Sequence, residues 1–206
     1  MNALFKYAIS LVLALVISLS AGSGARADRR IAFVIGNARY QHAGVLPNVG
    51  SDANAVADLL EKAGFDVDRR SDLGIDEFKK AVSDFSLLSF TADVAVVYFS
   101  GYGLVIDDGN YLIAADAKLS SVQDSEDEFV SLNWILVAGA ARKLNLVIVD
   151  ACRQNPFHRA SEEPPLGLAD VKLKLHNTLI ALAATSGSLS YDGDGPNSPF
   201  ASAVIK

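Results

Sequence analysis

The chain has 206 residues, of which half are apolar and a fifth are charged, and this is the composition of one globular domain. Its formal net charge of −6 argues against nucleic-acid binding, because such binding needs basic side chains that displace counterions from phosphates. One cysteine and three scattered histidines do not have the spacing of a structural zinc site, and no metal or cofactor is predicted.

The first 27 residues have the pattern of a signal peptide. Lys6 precedes an apolar run over residues 8–19, and Ala25 and Ala27 fit the small-residue rule for signal-peptidase cleavage. The run is shorter than the roughly 20 apolar residues of a membrane span. We therefore expect an exported protein, periplasmic or secreted, whose mature domain covers residues 28–206 without an integral membrane span. An uncleaved anchor and a buried helix are the alternatives.

Strands and helices alternate along the mature chain. Short apolar runs predict strands, and apolar residues at helical spacing predict helices. The predicted strands cover residues 30–36, 65–68, 93–100, 144–150 and 178–184; the helices cover 51–63, 75–88 and 132–143, with another beginning at 198; and a hairpin covers 101–115, with its turn at 107–110. This order predicts an α/β fold with a mainly parallel sheet between helices, a three-layer α/β/α sandwich.

The best candidates for reactive residues lie at the ends of two predicted strands. The third strand ends in SGYG at 100–103 and the fourth in DACR at 150–153. Ligands of parallel sheets bind at the carboxyl ends of strands, so we expect these two segments to meet at one edge. A lone cysteine is often only a small buried apolar residue, but a position at a strand end favours a reactive one.

Five segments together resemble the caspase superfamily, specifically its bacterial caspase-like or orthocaspase branch near the metacaspases and paracaspases. They are RIAFVIGNARY at 30–40, LPNVGSDANAVADLLEKAGFDV at 46–67, VVYFSGYGLVIDDGNYLIAADA at 96–117, LVIVDACRQNPF at 146–157 and ATSGSLSYDGDGPNSPF at 184–200. They span nearly all of the mature chain in the family order. The resemblance implies a caspase-like p20 domain of the peptidase C14 type, which is a cysteine-type endopeptidase.

The resemblance also implies roles for single positions. Cys152 matches the thiol nucleophile, and the backbone N–H groups of Gly103 and Cys152 match the oxyanion hole. Asp150, with Asp52, matches the acidic S1 pocket that accepts Arg or Lys in the relatives, so the implied partner is a peptide or protein with basic residues. The plainer alternatives are a helix first-turn carboxylate for Asp52 and a capping or loop contact for Asp150.

Tyr102 stands where the family pattern Ser-Gly-His-Gly has its catalytic histidine, 50 residues before Cys152. A tyrosine titrates near 10, so only about 0.1% is phenolate at neutral pH, and it cannot form a cation that supports a thiolate. We therefore expect a degenerate dyad that has lost most peptidase activity. His158 is the only substitute base with an argued route to the site, and an ordinary loop histidine is its alternative; His42 and His176 have no such route.

Three functions stay open at this point. The first is a pseudopeptidase that binds basic segments, the second is a weak endopeptidase cleaving after Arg or Lys, and the third is a redox or structural role in which Cys152 pairs with another chain.

The family's sheet has a further strand after the SPF segment, whereas this sequence stops at Lys206, so we expect the last strand to be missing. The acidic clusters lack the spacing of an EF-hand calcium loop, and the oligomeric state is left open.

Overall fold

The computed structural model describes residues 27–118, 127–152, 168–183 and 195–206, with Cys152 described by its backbone. Residues 1–26 of the predicted signal peptide, most of the acidic loop at 124–127, the loop at 156–167 with His158, and most of the glycine-rich loop at 186–199 lie outside these residues. Within the four described ranges, no helix is long and apolar enough to cross a bilayer.

Strands and helices alternate along the chain, as the sequence predicts. The strands are β1 (Arg30–Gly36), β2 (Asp66–Ser71), β3 (Val94–Ile106), β4 (Gly109–Ile113), β5 (Phe129–Ser131), β6 (Leu144–Cys152) and β7 (Thr178–Leu182). The helices are α1 (Val49–Lys62), α2 (Ile75–Ser89), α3 (Leu132–Ala138) and α4 (Pro199–Val204). The three-residue strand β5 is the one strand among them that the sequence does not predict.

The sheet has a parallel part and an antiparallel part. Five strands run parallel in the order β2-β1-β3-β6-β7. The end of β3 continues into an antiparallel hairpin with β4, and β5 adds to the outer side of β4. Asp107 and Asp108 form the hairpin turn with positive φ angles of 47° and 62°, which is the conformation of a type I′ turn. The predicted hairpin is therefore confirmed.

Helices cover both faces of the parallel sheet. On one face, α1 and α4 pack against alternate strand residues through side chains such as Val56 and Phe200. On the other face, α2 and α3 do so through side chains such as Phe78 and Leu136. The central strands are apolar on both sides because both sides are covered. The predicted three-layer α/β/α sandwich with a mainly parallel sheet is confirmed.

The helix predicted over residues 132–143 is too long. Helix α3 ends at Ala138, because Asn145 at the start of β6 fills the space of the next turn. A Cβ atom at Gly139 would lie 2.5 Å from the Asn145 Oδ1 atom, and the Asn145 amide donates to the Leu136 carbonyl at 3.2 Å. The chain beyond α3 therefore turns directly towards β6.

Candidate active site

The carboxyl ends of β3 and β6 lie side by side. The parallel register pairs Ser100 with Asp150 and Tyr102 with Cys152 by their Cα positions. The two strand ends that stand out in the sequence therefore meet at one edge of the sheet. At the level of the backbone, the tyrosine is the direct neighbour of the cysteine.

The Tyr40 hydroxyl reaches the backbone of β3 at this edge. The Tyr102 backbone N–H donates to the Tyr40 Oη atom at 2.8 Å. A Cβ atom at Gly101 would lie 2.6 Å from the same oxygen and 2.8 Å from the Phe99 ring. A glycine at position 101 is therefore required for the hydroxyl to come this close to the strand.

The side chain of Tyr102 is buried in a small cluster of apolar residues. Only 7% of Tyr102 is exposed, and its ring centroid lies 4.7 Å from that of Tyr40, at an angle of 56°. The other members of the cluster come from α1, the loop before it and the β4–β5 region: Leu46, Val49, Ile113, Ala117 and Phe129. The ring at position 102 is thus fixed by packing rather than exposed in an open cleft.

The loop that follows β1 passes beside the Tyr102 hydroxyl. A Cβ atom at Gly44 would lie 3.9 Å from the Tyr102 Oη atom. His42 lies two residues earlier in this loop and has an exposed side chain. The loop that carries His42 therefore lies beside Tyr102, whereas the sequence gives this histidine no route to the site.

The two carboxylates predicted for substrate binding are both buried. Asp52, in the first turn of α1, is 0% exposed, and Asp150, near the end of β6, is 4% exposed. The Ser198 backbone N–H donates to the Asp52 Oδ1 atom at 3.0 Å, and the Ser198 hydroxyl donates to the Asp150 Oδ2 atom at 2.6 Å. The Asn197 amide also donates to Asp52 at 2.8 Å. Ser198 therefore joins the two acids in one polar group.

Tyr98 lies close to these two acids. Burial raises the pKa of Tyr98 far above its ordinary value, and the negative charges of Asp150 and Asp52 raise that pKa further. Tyr98 is therefore a neutral phenol at any physiological pH. Both carboxylates therefore lie near the same buried phenol.

Asn37 holds the neighbouring strand ends in place. It is 0% exposed, and its backbone N–H donates to the Ser100 carbonyl at 2.9 Å. Its amide donates to the Ile113 carbonyl at 3.0 Å and accepts the Leu73 backbone N–H at 3.0 Å. The sequence signal for this role is a polar residue immediately after a buried strand.

Ser198 has a second structural role, as the N-cap of α4. Its hydroxyl accepts the Ala201 backbone N–H at 2.9 Å, and Pro199 follows it at the start of the helix. A Ser-Pro pair is a typical helix start. The sequence therefore predicts the cap but not its contact with Asp52 and Asp150.

In the residues that the structure describes, no group of three or more His, Cys, Asp or Glu side chains could hold a metal ion.

Comparisons with known proteins bear on the whole of this architecture. Residues 29–206 match the family model Peptidase_C14, which is described as the caspase domain. No curated protein sequence matches the chain significantly. Among solved structures, the crystal structure of Caspase-1 from Spodoptera frugiperda is similar, with a TM-score of 0.63 and 16% sequence identity over 88% of this chain and 70% of that one. At this identity, the likeness establishes the fold.

Proposed function

The chain belongs to the caspase domain family, and from this premise we propose that it is a pseudopeptidase that binds basic peptide segments without cleaving them efficiently. The observation that carries the proposal is the register that pairs Tyr102 with Cys152 at the carboxyl edge of the sheet. The motif segments quoted above support a place in the bacterial caspase-like branch, near metacaspases and paracaspases. In this proposal, Cys152 occupies the nucleophile position and Gly103 the oxyanion-hole position.

The loss of activity follows from proton transfer. Amide hydrolysis by a thiol needs a group that removes the thiol proton and later protonates the departing nitrogen, and such help contributes about 10²–10⁴-fold. A phenol at position 102 is too weak a base at neutral pH. The tight packing of Tyr102 against Tyr40 also leaves little room for the ring to move away and admit water in its place.

We propose that Asp52 and Asp150 recognise the basic side chain of the bound segment. Two buried carboxylates at one site favour a guanidinium or ammonium group, which can pair with both of them. Ser198 donates to both acids in the described state. A basic side chain therefore has to displace the Asn197–Ser198 segment, and we expect slow binding with a conformational step.

The test uses fluorogenic peptides that end in Arg or Lys, together with five proteins: wild type, Tyr102→His, Tyr102→Phe, Cys152→Ala and the double variant Tyr102→His/Cys152→Ala. We expect wild type and Tyr102→Phe to be equally inert and Tyr102→His to gain on the order of 10²–10⁴-fold in turnover. The double variant Tyr102→His/Cys152→Ala should lose that gain. Clear wild-type turnover that Cys152→Ala abolishes would overturn the proposal.

Peptide binding is measured separately from cleavage. Fluorescence polarisation with a labelled Arg-containing peptide should show binding to wild type and Cys152→Ala alike. Asp150→Asn should weaken it by roughly tenfold or more, because one partner of a charge-assisted hydrogen bond is lost. A peptide with Gln in place of Arg is the matched control, and equal affinity for both peptides would argue against a binding site for basic segments.

A weakly active endopeptidase is the second candidate, and the position of the loop after β1 favours it. Gly44 approaches the Tyr102 hydroxyl, so we propose His42, two residues earlier in the same loop, as the first substitute base to test. If wild type turns over slowly, His42→Ala should remove the activity and His176→Ala should not. Turnover that survives His42→Ala would remove this candidate base and leave His158 to be tested.

We also propose that the chain is exported and cleaved before Asp28, as its first 27 residues predict. Edman or mass-spectrometric analysis of the mature protein should find Asp28 at the N-terminus. In an oxidising compartment, Cys152 could form a disulfide only with another molecule, because it is the single cysteine. A purely monomeric band on a non-reducing gel would count against this third function.

A further inference from the structure

Large apolar side chains are exposed at the amino edge of the sheet, opposite the candidate site. Leu87 is 76% exposed, Phe90 80% and Val137 54%, and we call these three residues the apolar tip. Leu87 and Phe90 are three residues apart at the end of α2, so they lie on one face. The Ser89 hydroxyl donates to the Ala138 carbonyl at 2.6 Å, which brings the end of α3, with Val137, alongside them.

Basic side chains border the apolar tip where the parallel strands begin. The basic rim consists of five exposed residues, namely Arg29, Arg30, Lys62, Arg142 and Lys143. Arg29 donates to the Thr91 hydroxyl, next to Phe90. Arg30 donates to the Ala63 carbonyl at 3.2 Å, next to Lys62. The rim is therefore continuous with the tip.

Four carboxylates lie at the same edge, and they do not cancel the rim. Asp93 pairs with Arg142 at 3.1 Å, and Asp28 pairs with Lys143. The third, Asp66, begins β2, and the fourth, Glu61, precedes Lys62 in the last turn of α1 and pairs with Arg69 at 3.2 Å. Five basic groups against four acidic ones leave this edge net positive, whereas the whole chain has a formal charge of −6. The charge distribution thus separates this edge from the rest of the molecule.

The most apolar segment of the chain precedes β1 and is therefore connected to this edge. The described chain begins at residue 27, immediately before β1, and the apolar run over residues 8–19 ends eight residues earlier. While this run is attached, it can hold the amino edge against a bilayer. After cleavage before Asp28, a new terminal ammonium group would add positive charge to the same edge.

We propose that the amino edge of the sheet is a membrane-facing surface, in which the apolar tip enters the interfacial layer of a bilayer and the basic rim contacts anionic lipid headgroups. Exposed Phe and Leu side chains gain free energy by leaving water, and Lys and Arg near the surface are attracted to anionic lipid. In this orientation the carboxyl edge, with Tyr102 and Cys152, points away from the bilayer. The surface is independent of the proposed peptide binding.

The experiment places an environment-sensitive fluorophore at position 90 in a Cys152→Ser background, by means of Phe90→Cys. The control is Val45→Cys in the same background, because Val45 is 67% exposed and lies in the loop after β1, at the opposite edge. Each labelled variant is prepared in two forms, the full chain and the exported chain that is recovered from the producing cells. Each form is mixed with vesicles of phosphatidylglycerol or of phosphatidylcholine. We expect phosphatidylglycerol to blue-shift the probe at 90, lipid-borne quenchers to reach it, and the probe at 45 to stay unchanged.

The charge of the rim is tested by Arg30→Gln/Lys62→Gln, which should weaken the binding of the exported chain to anionic vesicles by about tenfold. The matched control is Lys80→Gln/Lys172→Gln, because these exposed lysines lie outside the rim. The proposal is overturned if neither probe responds or both respond equally. It is also overturned if the probe at 90 responds only in the full chain, since residues 1–27 would then carry the binding. A change in oligomeric state at Phe90→Asp without lipid quenching would assign the tip to a second copy of the chain instead.

Discussion

Tyr40 contributes more to the site than its place in a surface loop suggests. Its hydroxyl accepts the Tyr102 backbone N–H at 2.8 Å, and its ring packs on the Tyr102 ring. The amide at position 102 is buried, so an acceptor is needed there in the absence of water. One hydroxyl thus fixes both the peptide and the ring that stand next to Cys152.

Tyr40→Phe should lower the free energy of unfolding by roughly 1–3 kcal/mol, because it leaves a buried N–H without its acceptor while keeping the ring. Urea denaturation measures the change. Tyr111→Phe is the matched control, since the described residues give no hydrogen bond to that hydroxyl, and we expect a change within about 0.5 kcal/mol. An equal effect of the two substitutions would show that the Tyr40 hydroxyl has no special role.

Helix α4 depends on two carboxylates that belong to other elements. Ser198 caps its first turn and donates to Asp52 and Asp150 at the same time. Ser198→Ala should therefore remove the cap and the hydroxyl donor to Asp150, at a cost of about 2–4 kcal/mol. Denaturation measures the loss of stability. Limited proteolysis that begins within α4 would show that the loss is confined to this helix.

The control for this change lies in the same helix. Ser202→Ala makes the same substitution one turn later, at a position where alanine is the better helix former, and we expect it to be neutral or slightly stabilising. If Ser198→Ala were as harmless as Ser202→Ala, the bonds to the two acids would not hold the helix in place.

The parts of the fold that follow from local pattern are predictable from the sequence, and the parts set by distant contacts are not. The bounds of β1 and the end of α1 before Gly64, which has a φ of +82°, follow from apolar spacing and from the conformation that glycine allows. The end of α3 is set by Asn145, which belongs to the next strand. Strand β5 is too short to show a period.

The same division applies to the candidate site. The meeting of Tyr102 and Cys152 is predictable because neighbouring parallel strands end at one edge. The bond between Ser198 and Asp52 joins residues 146 positions apart, and no local pattern encodes it. The loop that brings Gly44 to Tyr102 has no repeat or period either, so its approach to the site appears only in three dimensions.

The sandwich has two edges of opposite character when it is viewed as a whole. The carboxyl edge holds buried acids and the Tyr102–Cys152 pair, whereas the amino edge holds the basic rim and the apolar tip. The two edges lie at opposite ends of the parallel strands and are separated by the length of these strands. A molecule oriented by its amino edge would therefore present the carboxyl edge, where peptide binding is proposed, to the aqueous phase.

Asp93 ties the amino ends of the three central strands together. Just before β3, its carboxylate accepts the backbone N–H of Arg29, which precedes β1, at 3.0 Å. It also pairs with Arg142 and Lys143, which precede β6. The hydrogen bond from Arg29 and the positive charges of Arg142 and Lys143 lower the pKa of Asp93 below its ordinary value of 3.8. The charged form is therefore favoured by folding.

A carboxylate whose pKa is lower in the folded chain stabilises the protein fully above its ordinary pKa and loses that effect as the pH falls through the folded pKa. Asp93→Asn should therefore lower the free energy of unfolding at pH 7, and its difference from wild type should shrink below about pH 4. Urea denaturation at pH 7, 5 and 3 measures this difference. Asp66→Asn is the control, because its exposed carboxylate at the same edge makes no salt bridge in the described part of the chain, and we expect a small difference at every pH. The result would contradict this prediction if Asp93→Asn lowered the free energy of unfolding as much at pH 3 as at pH 7. The substitution would then remove packing contacts rather than the negative charge that holds the three strands together.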